Sequence, residues 1–246
     1  ERAIMLPRLE HPTYPIKTPV GGIEFRIRPY TNREEKVLLL LKESTTEGGI
    51  VDAMCQIVES CSFDLPVRAW NLPLADLIWT FIKIRSYSVG EVSELNYRCI
   101  KTVGDETVDP GQKCNTPIHY ELNLNDIEIR NNDVLQDIDL GSGVKMRLRH
   151  YTGNDIIRDP EDQNTDAQTL YEMVVCIYTD VESNDKADIP FEEFEDWYND
   201  IPLNKKVEIE RFLAQMPSLY KEITLKCPKC GNESKLVLET VADFFQ

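Results

Sequence analysis

Two pairs of cysteines, far apart in the chain, constrain its fold more than any other feature. The C-terminal pair, Cys227 and Cys230, has Cys-x-x-Cys spacing, with Gly231 directly behind it. The upstream pair, Cys99 and Cys114, has fourteen residues between its members, so a loop must leave the chain there. Structural zinc sites are tetrahedral and often bind four thiolates. The sequence therefore predicts one zinc site held by all four cysteines, which requires the two pairs to meet in the fold.

The cysteines could also serve redox chemistry, form disulfides or simply be buried. A redox Cys-x-x-Cys motif would begin a helix in a βαβ unit, whereas residues 222–225 and 235–238 look like strands. Disulfides are typical of exported proteins, and residues 1–7 lack the long apolar core of a signal peptide. Unrelated burial of the cysteines is a further alternative. His119 could replace one thiolate but is a weaker candidate.

The composition is that of a folded, acidic protein. The 246 residues are 41% hydrophobic, enough for a sizeable core in one domain or two. No run of eighteen apolar residues is present, so no membrane-spanning helix is predicted. The net charge of −16 disfavours nucleic acid as the main ligand and favours basic partners. Seven cysteines without an export signal indicate reduced thiols and synthesis in the cytoplasm.

Residues 1–20 are predicted to form an extended arm, because their prolines exclude a long helix. We expect the arm to lie on the rest of the protein or on a neighbouring chain. Pro7, Pro12 and Pro15 are the candidate partner contacts in it. An arm held only by the core of its own chain is the alternative.

From residue 21 the apolar pattern predicts an α+β fold. Ile23, Phe25 and Ile27 alternate as in a strand. Thr31 and Glu34 have capping-box spacing for a helix over residues 34–43. The later elements of this half are helices at 50–60 and 74–86 and strands at 94–99 and 118–124.

The second half of the chain repeats this order. Residues 143–152 match residues 22–31 at an offset of 121, and Thr152 with Asp155 repeats the cap spacing. At the same offset, Cys176 follows Cys55. The predicted later elements are helices at 167–181, 191–198 and 205–215 and strands at 222–227 and 235–240.

We therefore predict an internal duplication, with pseudo-repeats at 21–130 and 140–246. Each repeat would read strand, helices, strand, cysteine pair, strand, and would carry half of a zinc-ribbon-like site. The metal would then lie near a pseudo-twofold axis. Chance likeness of two short strand-to-helix segments is the alternative.

An acidic segment from residue 180 to residue 200 also holds aromatic side chains. Phe191, Phe194 and Trp197 are candidate partner contacts there, although a helix with one solvated face explains such a pattern equally well. No nucleophile elbow or phosphate loop occurs in the sequence. We therefore expect a protein that is not an enzyme.

Several short segments, spread over most of the chain, form one combination. In chain order they are Leu6-Pro7, Phe25-Arg26-Ile27-Arg28-Pro29-Tyr30-Thr31 with Glu34-Glu35 after it, Ile84-Arg85-Ser86-Tyr87-Ser88-Val89-Gly90, Tyr97-Arg98-Cys99, and Cys227-Pro228-Lys229-Cys230-Gly231. This combination resembles the baseplate hub subunit and hub-assembly proteins of T4-like contractile-tailed phages. The long loop after Cys99 and the acidic insertions depart from the plainest version of the pattern.

The resemblance implies a viral tail protein that is made in the host cytoplasm and either sits in the baseplate hub or helps to assemble it. Other baseplate proteins would be its partners, in a symmetric multi-chain assembly. The alternative function is a zinc-ribbon adaptor that binds nucleic acid or transcription machinery, for which Lys226, Lys229 and Lys235 are the only hint. An enzyme would need an open zinc position, which four thiolates do not leave.

Overall fold

A computed structural model describes residues 9–43, 46–102, 113–132, 137–157 and 166–244. Strands and helices are mixed along the chain, so the predicted α+β class is confirmed. The strands are β1 (Tyr14–Lys17), β2 (Glu24–Ile27), β3 (Ser62–Phe63), β4 (Val92–Arg98), β5 (Pro117–Asn123), β6 (Glu128–Arg130), β7 (Asp137–Gly141), β8 (Val144–Leu148), β9 (Val174–Tyr178), β10 (Ser183–Asp185), β11 (Ser218–Lys226) and β12 (Glu233–Leu238). The helices are α1 (Glu35–Glu43), α2 (Glu47–Cys61), α3 (Leu74–Val89), α4 (Gly153–Ile156), α5 (Asp166–Met173), α6 (Phe191–Asn199), α7 (Leu203–Ala214) and α8 (Val241–Phe244). Within these ranges, every helix is too short or too polar to span a bilayer.

The strands form small antiparallel sheets. Their orders are β1-β2-β3, β10-β9-β8-β7, β12-β11-β6 and β4-β5. In the first sheet, Phe25 pairs with Ile16 and Ile27 pairs with Tyr14. The alternation of side chains along β2 buries Phe25 and Ile27 while Glu24 and Arg26 face solvent, as the sequence pattern predicts.

The described residues form three hydrophobic cores. The first is built by β2, α2 and α3 around Ile27, Met54 and Leu77. Another is built by β8, α5, α6 and α7 around Met146 and Phe194. The third, which we call the shared core, contains residues of both halves: Leu95, Leu122 and Leu124 with Leu219, Ile223 and Leu238.

The two halves are tied together at the shared core by their backbones as well. Strand β6 of the first half pairs with β11 of the second. The buried Ser93 hydroxyl on β4 donates to the carbonyl of Phe244 on α8 at 2.8 Å. A further contact lies at Gly153, where an added Cβ would approach the Cys55 sulfur to 2.8 Å, so only glycine allows α4 this close to α2.

A buried ion pair organises the passage from β2 to α1. Arg28 Nη2 lies 2.9 Å from Glu34 Oε1. The other Glu34 oxygen accepts from the Thr31 backbone N–H at 2.7 Å and from the Thr31 hydroxyl at 2.9 Å. Burial opposes ionisation of this carboxyl, but the hydrogen bonds from Arg28, Ser60 and Thr31 hold the pKa of Glu34 well below its usual range.

The passage from β8 to α4 has the same arrangement. Arg149 binds both carboxylate oxygens of Asp155, at 2.6 and 2.8 Å. Asp155 Oδ2 also accepts from the backbone N–H and the hydroxyl of Thr152, both at 2.8 Å. Both ion pairs follow a strand and fix the first turn of a helix, which is the role that the capping-box spacing predicts.

The predicted helix over residues 167–181 is wrong in its second part. Helix α5 ends at Met173, and the chain continues as strand β9, which pairs with β8. Val174, Val175 and Ile177 are β-branched, which favours a strand beside the open edge of β8. Cys176 therefore lies on a strand, whereas Cys55 lies on helix α2.

Some predicted features lie outside the described residues, namely Pro7, most of the loop between Cys99 and Cys114, and most of the acidic insertion after Arg158. Part of the proline-rich arm is described. Tyr14–Lys17 forms β1, so this part of the arm is a strand of the first sheet.

The Arg28–Glu34 pair gives a stability prediction. Glu34→Gln leaves the buried Arg28 charge without its partner, and we expect it to lower the free energy of unfolding by about 3 kcal/mol at pH 7. Because the folded-state pKa of Glu34 is depressed, the contribution is present above about pH 4.3 and is lost at lower pH. Urea unfolding across this pH range measures both effects.

Glu24→Gln is the matched control, because Glu24 pairs with Lys17 at 3.0 Å on the exposed surface. This change should cost less than about 0.5 kcal/mol. Equal losses for the two variants, or an effect of Glu34→Gln that persists at low pH, would contradict the assigned role of Glu34.

Candidate metal centre

The C-terminal cysteine pair lies in the turn between β11 and β12. The Cys227 backbone N–H donates to the Asn232 carbonyl at 2.9 Å, and the Gly231 N–H donates to the Cys227 carbonyl at 3.0 Å. Gly231 has a φ of +67°, a left-handed conformation that glycine adopts without strain. This tight turn brings Cys230 back beside Cys227.

The upstream pair repeats this turn at the end of β4. The Cys99 N–H donates to the Thr116 carbonyl at 2.9 Å, and the Asn115 N–H donates to the Cys99 carbonyl at 3.0 Å. Asn115 takes the place of Gly231 with a φ of +52°, which asparagine tolerates better than most residues. The Cys114 N–H is bound by the Lys101 carbonyl at 2.8 Å, so the long connection leaves the turn without widening it.

The four sulfurs converge. Cys99 Sγ lies 3.6 Å from Cys230 Sγ, and Cys114 Sγ lies 3.8 Å from Cys227 Sγ. All four sulfurs lie within 4.8 Å of one another. A tetrahedral Zn²⁺ with Zn–S distances of about 2.3 Å would set its sulfurs about 3.8 Å apart. The cluster therefore has the donor atoms and the spacing that a metal ion such as zinc requires.

The separations also bear on the disulfide alternative. A disulfide has its sulfurs about 2.05 Å apart, and all seven cysteines are free thiols in the structure. All four sulfurs lie within 4.8 Å of one another, so no two of them stand apart as a disulfide or redox pair. This arrangement fits metal binding between the halves better than a redox Cys-x-x-Cys motif.

The surroundings favour ionised sulfur at two positions of the cluster. Backbone N–H groups of Cys230 and Lys229 point at Cys227 and lower its pKa to about 6. The Thr116 hydroxyl, 3.2 Å from Cys114 Sγ, lowers the pKa of Cys114 as well. At Cys99 a backbone hydrogen bond from Lys101 lowers the pKa, but desolvation and the neighbouring cysteines outweigh it and raise the pKa to about 11. Thiolates rather than thiols bind metals. Cys99 and Cys227 are only 4% and 1% exposed, and the other two sulfurs are half-buried.

The remaining cysteines belong to the hydrophobic cores. Burial raises the pKa of the Cys55 and Cys61 thiols to about 12, so they are unreactive. Cys176 is buried on β9. His119 lies on β5 opposite Asn96, is exposed, and does not join the four-cysteine cluster.

The candidate partner contacts are distributed over two other surfaces. Pro12 and Pro15 are exposed in the described part of the arm. Phe191 and Trp197 are partly exposed on α6, but Phe194 is 1% exposed and lies in the core. None of these described residues contributes to the cysteine cluster.

Two side chains of the site were missed by sequence reasoning. Asn115 provides the left-handed turn residue, and Thr116 provides the hydroxyl beside Cys114. The sequence signal for Asn115 was its position directly after Cys114, which matches the position of Gly231 directly after Cys230. Asparagine and glycine are the residues that most readily adopt the left-handed conformation.

Two of the three lysines around the C-terminal turn, Lys226 and Lys235, are paired with carboxylates. Lys226 lies 3.0 Å from Glu233, and Lys235 lies 2.9 Å from Glu222. A surface that binds phosphates needs cations that are available to them. This pairing weakens the zinc-ribbon adaptor alternative.

The fold is thus α+β, and its two halves meet at four converging cysteines. The chain belongs to the T4 bacteriophage base plate protein family, whose model matches residues 11–246. The baseplate hub assembly protein gp26 of Enterobacteria phage T4 is 24% identical to it over 235 residues, which cover 95% of this chain and 98% of gp26. No solved structure matches the chain. The family predicted from the short segments is confirmed.

The cysteine cluster gives a metal-binding prediction. We expect the wild-type chain to contain one zinc ion and the Cys227→Ser, Cys230→Ser double variant to contain none. Structural zinc in small sites contributes on the order of 10 kcal/mol of apparent binding energy. If the double variant loses about 4 kcal/mol of this in its free energy of unfolding, its melting temperature should fall by about 10 °C in a chain of this size. Elemental analysis and calorimetry measure the two quantities.

Cys176→Ala is the control, because Cys176 is a buried cysteine outside the cluster. It should keep the zinc ion whatever its effect on melting. If the double variant melts like the wild type, or retains its zinc, the four-cysteine site is not the metal centre.

Proposed function

We propose that this chain is a structural or assembly protein of the baseplate hub in a contractile phage tail. The observation that carries the proposal is the end-to-end match to the T4 hub assembly protein, which leaves only 2% of that relative uncovered. Similarity of this extent involves the whole fold and not one motif. Other baseplate proteins are the proposed partners, in a symmetric multi-chain assembly.

Zinc is the proposed cofactor, in a structural role. Its support is the donor set of four cysteines and their separations of 3.6 and 3.8 Å between the halves. Four thiolates would fill a tetrahedral ion and leave no position for water or substrate. The proposed activity is therefore binding and not catalysis.

The internal duplication supports a rigid, two-part scaffold and forms part of the proposal. The two cysteine turns share the same pair of backbone hydrogen bonds at matching lengths. The Arg28–Glu34 and Arg149–Asp155 pairs stand at the offset of 121 that relates the two halves. Zinc would then bind close to the axis that relates the repeats.

The proposed repeats begin one strand earlier than the apolar pattern suggested. β1 pairs with β2 as β7 pairs with β8, so boundaries at 21 and 140 would each cut a hairpin. Starting the repeats at Tyr14 and Asp137 keeps both hairpins whole. The arm then consists of the residues before Tyr14, of which Pro12 remains a proposed partner contact.

The proposed location is the tail baseplate of the virion, or the host cytoplasm during assembly. The net charge of −16 argues against nucleic acid as the ligand and for proteins with basic surfaces. A protein that remains in the hub and one that leaves after assembly are both compatible with this charge and fold.

Removal of the gene from its phage is the direct test. We expect infected cells to accumulate no complete baseplates by electron microscopy, with rescue by the wild-type gene supplied in trans and no rescue by the Cys227→Ser, Cys230→Ser gene. Normal tails in the absence of the chain would contradict the proposed function.

Quantitative mass spectrometry separates the two versions of the proposal. A fixed ratio to other baseplate proteins in purified particles indicates a hub component. Abundance in tail intermediates of the lysate, with none in particles, indicates an assembly factor. Absence from both kinds of complex would overturn the baseplate assignment.

A further inference from the structure

The four-stranded sheet of the second half has an uncovered outer edge. Strand β10, Ser183–Asp185, is the last strand on that side and pairs only with β9 among the described residues. All of its residues are exposed. An unpaired edge of this kind can accept a strand from another chain.

The backbone of β10 presents its free groups outward at two residues. The hairpin closes with the Thr179 N–H donating to the Glu182 carbonyl at 2.8 Å. Hydrogen-bonded and non-bonded residue pairs alternate in antiparallel strands. The backbone of Asn184 therefore bonds to that of Ile177, while the backbone N–H and C=O groups of Ser183 and Asp185 point away from β9. No described backbone group is bonded to those outward-facing groups.

Beside this edge lies a groove between the sheet and helix α6, with a volume of about 290 Å³. Its apolar wall is formed by Ile177, Ile189, Phe194 and Trp197. Phe194 is buried, but Trp197 is partly exposed, with its ring 5.8 Å from that of Phe194. Asn184 also lines the groove. In a strand added to β10, the residue opposite Asn184, and every second residue from it, would lie on the same face of the sheet as Asn184.

The negative charge around the groove favours a ligand with basic side chains. Residues 180–200 contain nine carboxylates and a single lysine. That lysine, Lys186, lies 2.8 Å from Glu172. Asp188 and Glu193, which line the groove, form no ion pair with any described residue. The turn before β10 adds an apolar residue, Val181, which is 90% exposed.

We propose that the β10 edge and this groove bind an extended segment of a partner protein that carries basic and apolar side chains on the same face, two residues apart. The segment would add as a strand to β10, place its lysine or arginine side chains against Asp188 and Glu193, and insert an apolar side chain beside Trp197. That the partner is a baseplate protein rests on the proposed function. A second copy of this chain is a poorer occupant, because its own charge is −16.

A defined peptide tests the site on the full-length protein. The probe is a fluorescein-labelled short peptide that repeats Lys-Thr-Val-Thr, so that lysine and valine share one face of the strand, and its binding is measured by fluorescence anisotropy. We expect saturable binding that weakens as salt rises, since opposite charges are screened. Asp188→Lys with Glu193→Lys should weaken it at least ten-fold. The same peptide with glutamate in place of each lysine should not bind.

The matched control is Asp126→Lys with Glu128→Lys, which changes the net charge equally. These exposed residues belong to the 3-10 turn Leu124–Asp126 and to β6, in a different sheet. Binding should stay within two-fold of the wild type. Equal weakening by both double variants would mean attraction to overall charge alone, and would overturn the proposal.

Ser183→Pro tests the strand addition separately. It removes an N–H that faces outward, so the hairpin with β9 keeps its own hydrogen bonds. We expect weaker peptide binding with a melting temperature close to that of Ser183→Ala. Unchanged binding by a folded Ser183→Pro protein would overturn the strand addition.

The peptide result and the phage result can fail independently. Loss of baseplates without the gene, together with no peptide binding, would reject the groove and leave the baseplate function standing. Peptide binding with normal tails in the deletion phage would reject the baseplate function and leave the groove as a binding site.

Discussion

The convergence of four sulfurs beside the shared core is the constraint on which the rest of the architecture depends. Four thiolates within 4.8 Å would repel one another strongly. A bound divalent cation would offset that repulsion and turn the same atoms into a cross-link. Because such a cross-link would join residues 99 and 230, which are 131 residues apart, it would close about half of the chain into a loop. The shared core, with Leu95 from one half and Leu225 from the other, would then be held in register.

Each half is also organised by contacts that do not involve this site. Each has its own core and its own arginine–carboxylate pair at the start of a helix. The junction between the halves consists of the shared core, the short β6–β11 pairing, the close contact of α4 with α2 at Gly153 and the cysteine turns, and a bound metal would reinforce it. Extra residues between Lys101 and Cys114 are tolerated because the cost of closing a loop rises only slowly with its length.

The sequence was sufficient where the information is local. Cysteine spacing, apolar alternation around Phe25 and the capping pairs predicted the four-cysteine cluster, β2 and the helix starts. It failed at residues 174–178, where periodicity alone could not tell a buried helix from a strand, and the neighbouring β8 edge decided the outcome. The β6–β11 pairing and the uncovered β10 edge were not predictable, because both depend on contacts between distant parts of the chain.

The acidic surface and the rigid junction suit a protein that must join an assembly in one orientation. Long-range charge raises the rate of encounter with basic partners and disfavours contact between copies of the chain. Charge alone fixes no register, since it is screened within about 8 Å at physiological salt. Register requires directional contacts, and the outward backbone groups of Ser183 and Asp185 are of that kind. The groove beside Trp197 adds a buried apolar contact, and burial of this kind acts mainly by slowing dissociation.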